Sequence, residues 1–472
     1  MEIQILLAFI LYFCVLTLIG LYVYSKNQSA SAYLVGDRSV NYWVTAIATQ
    51  ATDMGIWLFL GFPAQVYLNG VPELWTAIGL VTGMLVNWHF IAPRLRRETE
   101  KHNAHTVASY LEKHYNDRSG IIRLLTGIIM LVFFTIYISA ALMGMGELFA
   151  SAFGITYHVG IFLGLAAAII YTLLGGFVAI AWCDFFQGIF LLIMIVLVPA
   201  YAFFHIGGAH AIVTAAQEKN ISLSLFSSWY DLGKGLLLAA GWGLAYPGLP
   251  HILLNFMGID KPENLRRATY IGITWQIIVL LAATSAGLIA IPYFGATLAA
   301  PETLFILMAK QLFFPFLVGL VLCGVFAATL STLDSHILIS GSVIAQDIYK
   351  YSINPQAHSK AILKLSRISS IIVSLLAILL VYHKNSSIYS LVNYAWSGLG
   401  SAFAPLMIMT LYYKNTTRAG AIAGIITGAT VSAVWPSINS YILPSITILP
   451  LVTGFFSSLF IIFAVSAITK KQ

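Results

Sequence analysis

Apolar residues in this chain come in unbroken runs of about 20, the length a helix rising 1.5 Å per residue needs to cross a bilayer. Strands of a membrane barrel would instead alternate apolar and polar positions. The runs predict helical spans near 3–25, 42–69, 73–92, 122–150, 158–182, 185–206, 233–257, 269–292, 313–347, 366–382, 388–412, 419–438 and 446–468. Thirteen spans make this an all-α polytopic membrane protein.

Composition fits that pattern. Of 472 residues, 59% are hydrophobic and 9% charged, against about 25% charge in a soluble domain. An ordinary soluble enzyme is therefore excluded. A net charge of +7 raises nucleic acid as a partner until the charges are placed. With the N-terminus outside and loops alternating, 20 of the 24 basic residues fall on the cytoplasmic side. They are Lys26, Arg38, Arg94, Arg96, Arg97, Lys101, Lys113, Arg118, Arg123, Lys261, Arg266, Arg267, Lys350, Lys360, Lys364, Arg367, Lys414, Arg418, Lys470 and Lys471. Lys219, Lys234, Lys310 and Lys384 fall outside. The basic excess is thus an orientation signal that puts the C-terminus in the cytoplasm, and no nucleic acid is expected. The start Met1-Glu2-Ile3-Gln4 lacks the basic region of a cleaved signal, so the first run is read as a retained span. Cys14, Cys183 and Cys323 show neither metal-ligand spacing nor a disulfide framework. The longest cytoplasmic loop follows Arg94; its Val107, Leu111 and Tyr115 could share one helical face, but it reads mainly as solvated.

Two spans fit poorly with a continuous helix. The second holds Gln50-Ala51-Thr52-Asp53-Met54-Gly55 at its middle, and the seventh holds Gly241-Trp242-Gly243-Leu244-Ala245-Tyr246-Pro247-Gly248-Leu249-Pro250. Proline removes a backbone donor and glycine weakens a helix, so both should break. In hydrocarbon, such breaks survive only where protein or a wet cavity meets the freed groups. Interruptions five spans apart divide the chain into a first span (1–40), an inverted pair of five-span repeats (41–210 and 211–413) and two closing spans (414–472). That arrangement predicts a transporter with its site at mid-membrane.

Asp53 and Asp334 alone appear well within apolar spans, with Asp184 and Asp347 nearer cytoplasmic ends. An acid at a helix centre costs about 2.5–3.5 kcal/mol on insertion scales, so it marks a cation path or a paired site. No basic residue sits at the depth of Asp53. A bound cation or a hydrogen-bond network must stabilise it. Ser331 and Thr332, one turn before Asp334, would ordinarily bond preceding carbonyls. Combined with unwound carbonyls of the second span they would form the neutral oxygen cage a hard cation prefers.

These residues resemble the solute:sodium symporter family, and within it the bacterial sodium/proline branch. The resemblance runs from Tyr33 to about Trp435, through GDRSVNYWVTAIATQATDMGIW, YTLLGGFVAIAWCDFFQG, GWGLAYPGLPHILLNFM, AATLSTLDS and LVNYAWSGLGSAFAPL. It implies a LeuT-like fold of five plus five helices. It implies sodium held by carbonyls of Ala51, Met54 and Ala328 with the hydroxyls of Ser331 and Thr332. Asp53 matches the acidic residue needed for coupling, and Arg38 a cytoplasmic arginine near the gate. The substrate pocket would draw on Thr52, Met54, Tyr137, Trp242, Tyr246 and Pro250. The implied function is sodium-coupled uptake of L-proline by alternating access in a bacterial cytoplasmic membrane, with sodium the co-transported ion and no obligate protein partner. Gly55, Ala245, Pro247, Leu249 and Ser335 depart from the branch pattern. Another small amino acid or a carboxylate therefore stays open as substrate. The chain shows no HExxH, GxSxG or Cys/His cluster, which counts against an enzyme. A solute sensor would need a cytoplasmic output domain, which is not seen.

Overall fold

The computed structural model describes residues 2–24, 35–295, 298–383, 386–442 and 447–470. Lys26, Tyr33, Lys384 and Lys471 lie outside the described residues. Within them the chain is helical, apart from an isolated parallel bridge between Val40 and Ile259. Helices run in the order α1 (Glu2–Tyr24), α2 (Tyr42–Met54), α3 (Gly61–Asn69), α4 (Leu74–Val86), α5 (Ala92–Lys101), α6 (Val107–His114), α7 (Ile121–Phe153), α8 (Tyr157–Gly175), α9 (Phe177–His205) and α10 (Ala209–Glu218). They continue as α11 (Trp229–Gly243), α12 (Pro250–Gly258), α13 (Leu265–Phe294), α14 (Leu304–Leu312), α15 (Pro315–Ser342), α16 (Ser359–Val381), α17 (Ile388–Tyr412), α18 (Arg418–Ile442) and α19 (Pro450–Thr469). Among the described residues, 9 helices are long and apolar enough to cross a membrane, or 10 counting the bent α11–α12 pair as one.

Two helices are enclosed on every side and form the centre. All residues from Val44 to Met54 of α2 are buried, as are those from Val321 to Ser342 of α15. α2 packs on α9, α13 and α15, and α15 packs on α1, α7, α9 and α16. The outer helices show the opposite pattern. Leu375, Leu376, Leu379 and Leu380 on α16, and Phe456, Phe460 and Phe463 on α19, expose their side chains. An apolar surface of that kind suits acyl chains and would be a liability in water.

Close helix approach rests on small residues. Gly79 and Gly83, one turn apart on α4, face Ala239 and Gly243 on α11, and a Cβ at either glycine would fall on the opposing backbone. Small residues four apart let membrane helices meet backbone to backbone.

The segment after Arg94 is not a solvated loop. α5 continues the α4 direction through a π turn at Asn87–Ile91, and α6 docks on α7 and α12 with Val107 and Leu111 buried. The helical face noted in the sequence is covered by protein. Its charges also find partners: Arg123 Nε reaches Asp347 at 2.7 Å and its Nη1 reaches Glu112 at 3.0 Å, while Arg418 Nε reaches Asp117 at 2.8 Å. Arg96 Nε donates to the Ile259 carbonyl at 2.9 Å, fastening α5 to the chain leaving α12.

Gly83→Leu is expected to wedge α4 from α11 and cost about 1–3 kcal/mol, the usual penalty of overpacking. A fall in the thermal unfolding midpoint of the detergent-solubilised protein would register it; an unchanged midpoint would contradict this packing.

Candidate functional site

The site begins with two helix breaks. Asn41 caps α2, its side chain accepting from the Trp43 and Val44 amides at 3.0 Å. The helix ends at Gly55, whose φ of 46° lies where side chains are disfavoured. A Cβ there would also stand 3.0 Å from Thr332 Oγ1. Glycine is therefore favoured by the backbone at this departure from the family pattern. The second break follows α11: Tyr246–Gly248 is a single 3-10 turn, Leu249 is extended, and Pro250 opens α12 at its first turn. α11 and α12 meet at 48°. Proline suits a first helical turn because that amide has no partner within the helix, and it pushes the preceding residue to extended geometry.

Each break frees carbonyls, and specific side chains meet them. Ser331 Oγ donates to the Ala51 carbonyl at 3.0 Å, and Thr332 Oγ1 to the Thr52 carbonyl at 2.8 Å. The Ala328 carbonyl lies 3.1 Å from Ser331 Oγ and 3.3 Å from Thr332 Oγ1. At the other break, Trp396 Nε1 donates to the Trp242 carbonyl at 2.9 Å and Asn87 Nδ2 to the Tyr246 carbonyl at 3.2 Å. Asn87 and Trp396 had no role in the sequence reading; their signal is only a polar or N–H-bearing side chain inside an apolar span.

The two breaks meet. Tyr246 hydroxyl donates to Asp53 Oδ2 at 2.9 Å and accepts from Gln276 Nε2 at 3.0 Å. Trp57, just past the first break, stacks on Trp242 with centroids 5.4 Å apart and planes at 23°, and Trp396 stands edge-on to Tyr246 at 5.2 Å. Asp53 Oδ1, Tyr137 hydroxyl and the Nε1 atoms of Trp57 and Trp242 are buried without hydrogen-bond partners. Asp53 is 1% exposed and Trp242 and Tyr246 are 0%, so the site is closed on both sides.

The residues singled out in the sequence divide into groups. Ala51, Thr52, Ala328, Ser331 and Thr332 form one oxygen cluster at the C-terminal end of α2, with Met54 closing that helix. Asp53, Trp242 and Tyr246 form the aromatic side of the same centre. Tyr137 packs against His336, centroids 4.4 Å apart, and His251 at 6.2 Å, while staying within electrostatic range of Asp53 and Tyr246. Pro250 lines a cleft with Thr106, Val107, Met130 and Leu338, away from the indoles. Arg38 lies apart, its Nη2 donating to the Thr99 and Ala104 carbonyls at 2.9 and 3.1 Å. Ala245 faces Gly400 of α17, so its departure from the family pattern concerns helix packing.

Asp184 joins this centre. It is 1% exposed, with Oδ2 accepting from the Thr52 hydroxyl at 3.0 Å. It also lies within electrostatic range of Asp334. Asp53, Asp184, Asp334 and Asp347 are all buried within the protein. α9 starts after Gly176 and carries Asp184 two turns in.

Neutral oxygens gathered at a helix C-terminus present partial negative charge to a cation, and a ring of indoles beside a carboxylate suits an organic cation or zwitterion. That combination on a helical membrane scaffold defines a cation-coupled secondary transporter. The sequence profile of the Sodium:solute symporter family matches residues 33–428, and the chain belongs to this family. It is a multi-pass plasma-membrane transporter and not an enzyme. It is 37% identical over 458 residues to the high-affinity proline transporter PutP of Bacillus subtilis (strain 168), covering 96% of each chain. It is 36% identical to a sodium/proline symporter of Staphylococcus aureus (strain USA300 / TCH1516), covering 98% of this chain and 92% of that one. Among solved structures, a substrate-bound, outward-open Na+-coupled sialic acid symporter superposes with a TM-score of 0.81 at 20% identity, covering 98% of both chains; this likeness concerns the fold.

Trp396→Phe keeps the ring but removes the donor to the Trp242 carbonyl. An unmet buried acceptor costs about 1–3 kcal/mol, so thermal unfolding should begin at lower temperature than in the parent protein, and equal stability would sink this role.

Proposed function

We propose that the protein couples inward sodium flow to uptake of L-proline by alternating access. The observation that carries this reading is the meeting of the two broken helices, with a cluster of neutral oxygens on one side and Asp53, Tyr246 and the indoles on the other. Sodium takes the carbonyls of Ala51, Met54 and Ala328 and the hydroxyls of Ser331 and Thr332, with the Thr52 carbonyl adjoining them. The hydroxyls that cap the α2 carbonyls turn their lone pairs to the ion when it arrives. Proline lies against Trp242 and Tyr246, its apolar ring on the aromatic faces and its charged ends on Asp53 and the amides at the break. Thr52, Met54, Tyr137 and Pro250 border the path, and Arg38 steadies the gate.

The scaffold of this mechanism is thirteen spans with the N-terminus outside. Broken α2–α3, α8 and α17 join the longer apolar helices to reach that number. Repeats 41–210 and 211–413, framed by 1–40 and 414–472, would rock about the central pair. A potential of 100 mV contributes about 2.3 kcal/mol per charge and a tenfold sodium gradient about 1.4 kcal/mol. Coupled one to one, the sum sustains roughly 500-fold accumulation.

Relatives named as proline transporters favour proline over another small amino acid or carboxylate. Uptake of labelled proline into membrane vesicles, with and without a sodium gradient and with competing amino acids, tests the reading. Sodium should stimulate uptake strongly, and Asp53→Asn should reduce it by at least about tenfold, a loss of about 1.4 kcal/mol or more. Sodium-independent uptake, or a better competitor than proline itself, overturns it. Thr332→Val removes one oxygen from the cage and should raise half-saturating sodium at least about fivefold, roughly 1 kcal/mol of lost binding, while Asp53 and the indoles stay in place.

A further inference from the structure

One side-chain cluster outside the central site has the composition and spacing of a metal centre. Glu98 and His102 stand one turn apart on α5, and His114 ends α6; one ligand atom from each lies within 4.8 Å of the other two. All three are partly exposed, with 34% of the Glu98 and 24% of the His102 side chain open to solvent. An ion can reach them.

The frame that carries them is fixed rather than loose. Lys113 Nζ donates to the carbonyls of His102 at 3.1 Å and Asn103 at 2.8 Å, tying the end of α6 to the end of α5. Thr106 and Ser109 form a reciprocal cap at the start of α6. The two imidazole centroids are 5.8 Å apart, and the Tyr110 ring packs against both, with centroids 5.9 Å from His102 and 5.7 Å from His114.

The histidines are also set up chemically. His102 Nδ1 is 2.9 Å from the Glu98 carbonyl, and donating there leaves Nε2 with its lone pair free. Metal-bound histidines use that same arrangement, in which the second nitrogen fixes tautomer and ring direction. His114 Nδ1 is buried without a hydrogen-bond partner, a state that ligation would relieve. Two imidazoles and one carboxylate form a donor set that zinc accepts with a fourth position open. Hard ions such as magnesium or calcium prefer oxygen alone. With tetrahedral bonds of about 2.0–2.1 Å the ligand atoms would stand about 3.4 Å apart, so atoms now within 4.8 Å of one another must close by at most about 1.4 Å, within reach of side-chain rotation. Lys101 Nζ, 4.0 Å from Glu98 Oε1, is on a side chain 72% exposed and can swing aside.

We propose that Glu98, His102 and His114 bind a zinc-class divalent ion that clamps α5 to α6 and slows transport. The clamp bears on the gate through short links. The Thr99 and Ala104 carbonyls that hold Arg38 lie between the ligands along the chain, and Thr106 Oγ1 donates to Asp347 Oδ1 at 3.2 Å, beyond the end of α15. Slowed transport rests on the function proposed above; metal binding does not.

The full chain, purified in detergent with an affinity tag free of histidine, is titrated with zinc against a colorimetric chelator. The same protein is reconstituted in proteoliposomes, and labelled-proline uptake is followed with and without micromolar zinc. One zinc per chain is expected, with affinity falling at least tenfold in His102→Ala, His114→Ala and Glu98→Gln. Zinc should slow uptake several-fold in the parent and leave His114→Ala, whose metal-free uptake matches the parent, unchanged. Absence of stoichiometric binding, or binding equal in all variants, overturns the site. Bound zinc with undiminished uptake overturns the clamp. Failure of proline uptake without zinc counts against the transport reading alone, since the titration stands by itself.

Discussion

Carbonyl groups released at two helix breaks must find partners inside a protein that has little water to offer them. That constraint organises the structure. An unmet backbone group in hydrocarbon costs several kcal/mol, and four carbonyls at the breaks draw donors from three other segments. Ser331 and Thr332 on α15 serve Ala51 and Thr52; Asn87 and Trp396 serve Tyr246 and Trp242. The breaks are thus fixed by tertiary partners, and each partner helix is fixed in turn by the break it serves.

The same bonds make the centre responsive. A hydroxyl that donates to a carbonyl and keeps its own lone pairs can be exchanged for a cation that both oxygens coordinate. Tyr246 extends the link, because its hydroxyl joins Asp53 of one break to Gln276 of α13. The carbonyl met by Thr332 and the carboxylate met by Tyr246 are consequently on adjacent residues of α2, Thr52 and Asp53. Below them, the Val40–Ile259 bridge sutures the start of α2 to the chain leaving α12, with Asp260 N donating to the Val40 carbonyl at 2.9 Å. The two broken helices are thus joined through backbone as well as side chains.

Much of the site was legible because membranes penalise its ingredients. Asp53, the Pro-Gly cluster at Tyr246–Pro250 and the paired hydroxyls at Ser331–Thr332 are all conspicuous against an apolar background. Their grouping into an ion cage and a pocket came from the family resemblance, which carries roles but not contacts. Thr52 shows the difference: the resemblance gave it a role, and only the structure shows its hydroxyl against Asp184 and its carbonyl against Thr332. The bond from Thr52 to Asp184 was not legible, since hydropathy locates a residue along the chain, whereas that contact depends on how α9 is set against α2.

The sequence by itself determined the solvent and the local geometry. Long apolar runs require lipid and helix, proline and glycine require breaks, and the distribution of lysine and arginine expresses a preferred orientation, because these are properties of short stretches in a known medium. Tertiary structure decided which groups answer which. Asp53 and Tyr246 are 193 positions apart, and Ser331 and Ala51 are 280 apart. No local pattern specifies such pairs; they arise when many helices pack at once and every buried polar group must be met. The α5–α6 segment shows the same division. Its charges read as solvated until α7, α12 and Arg123 are folded against it.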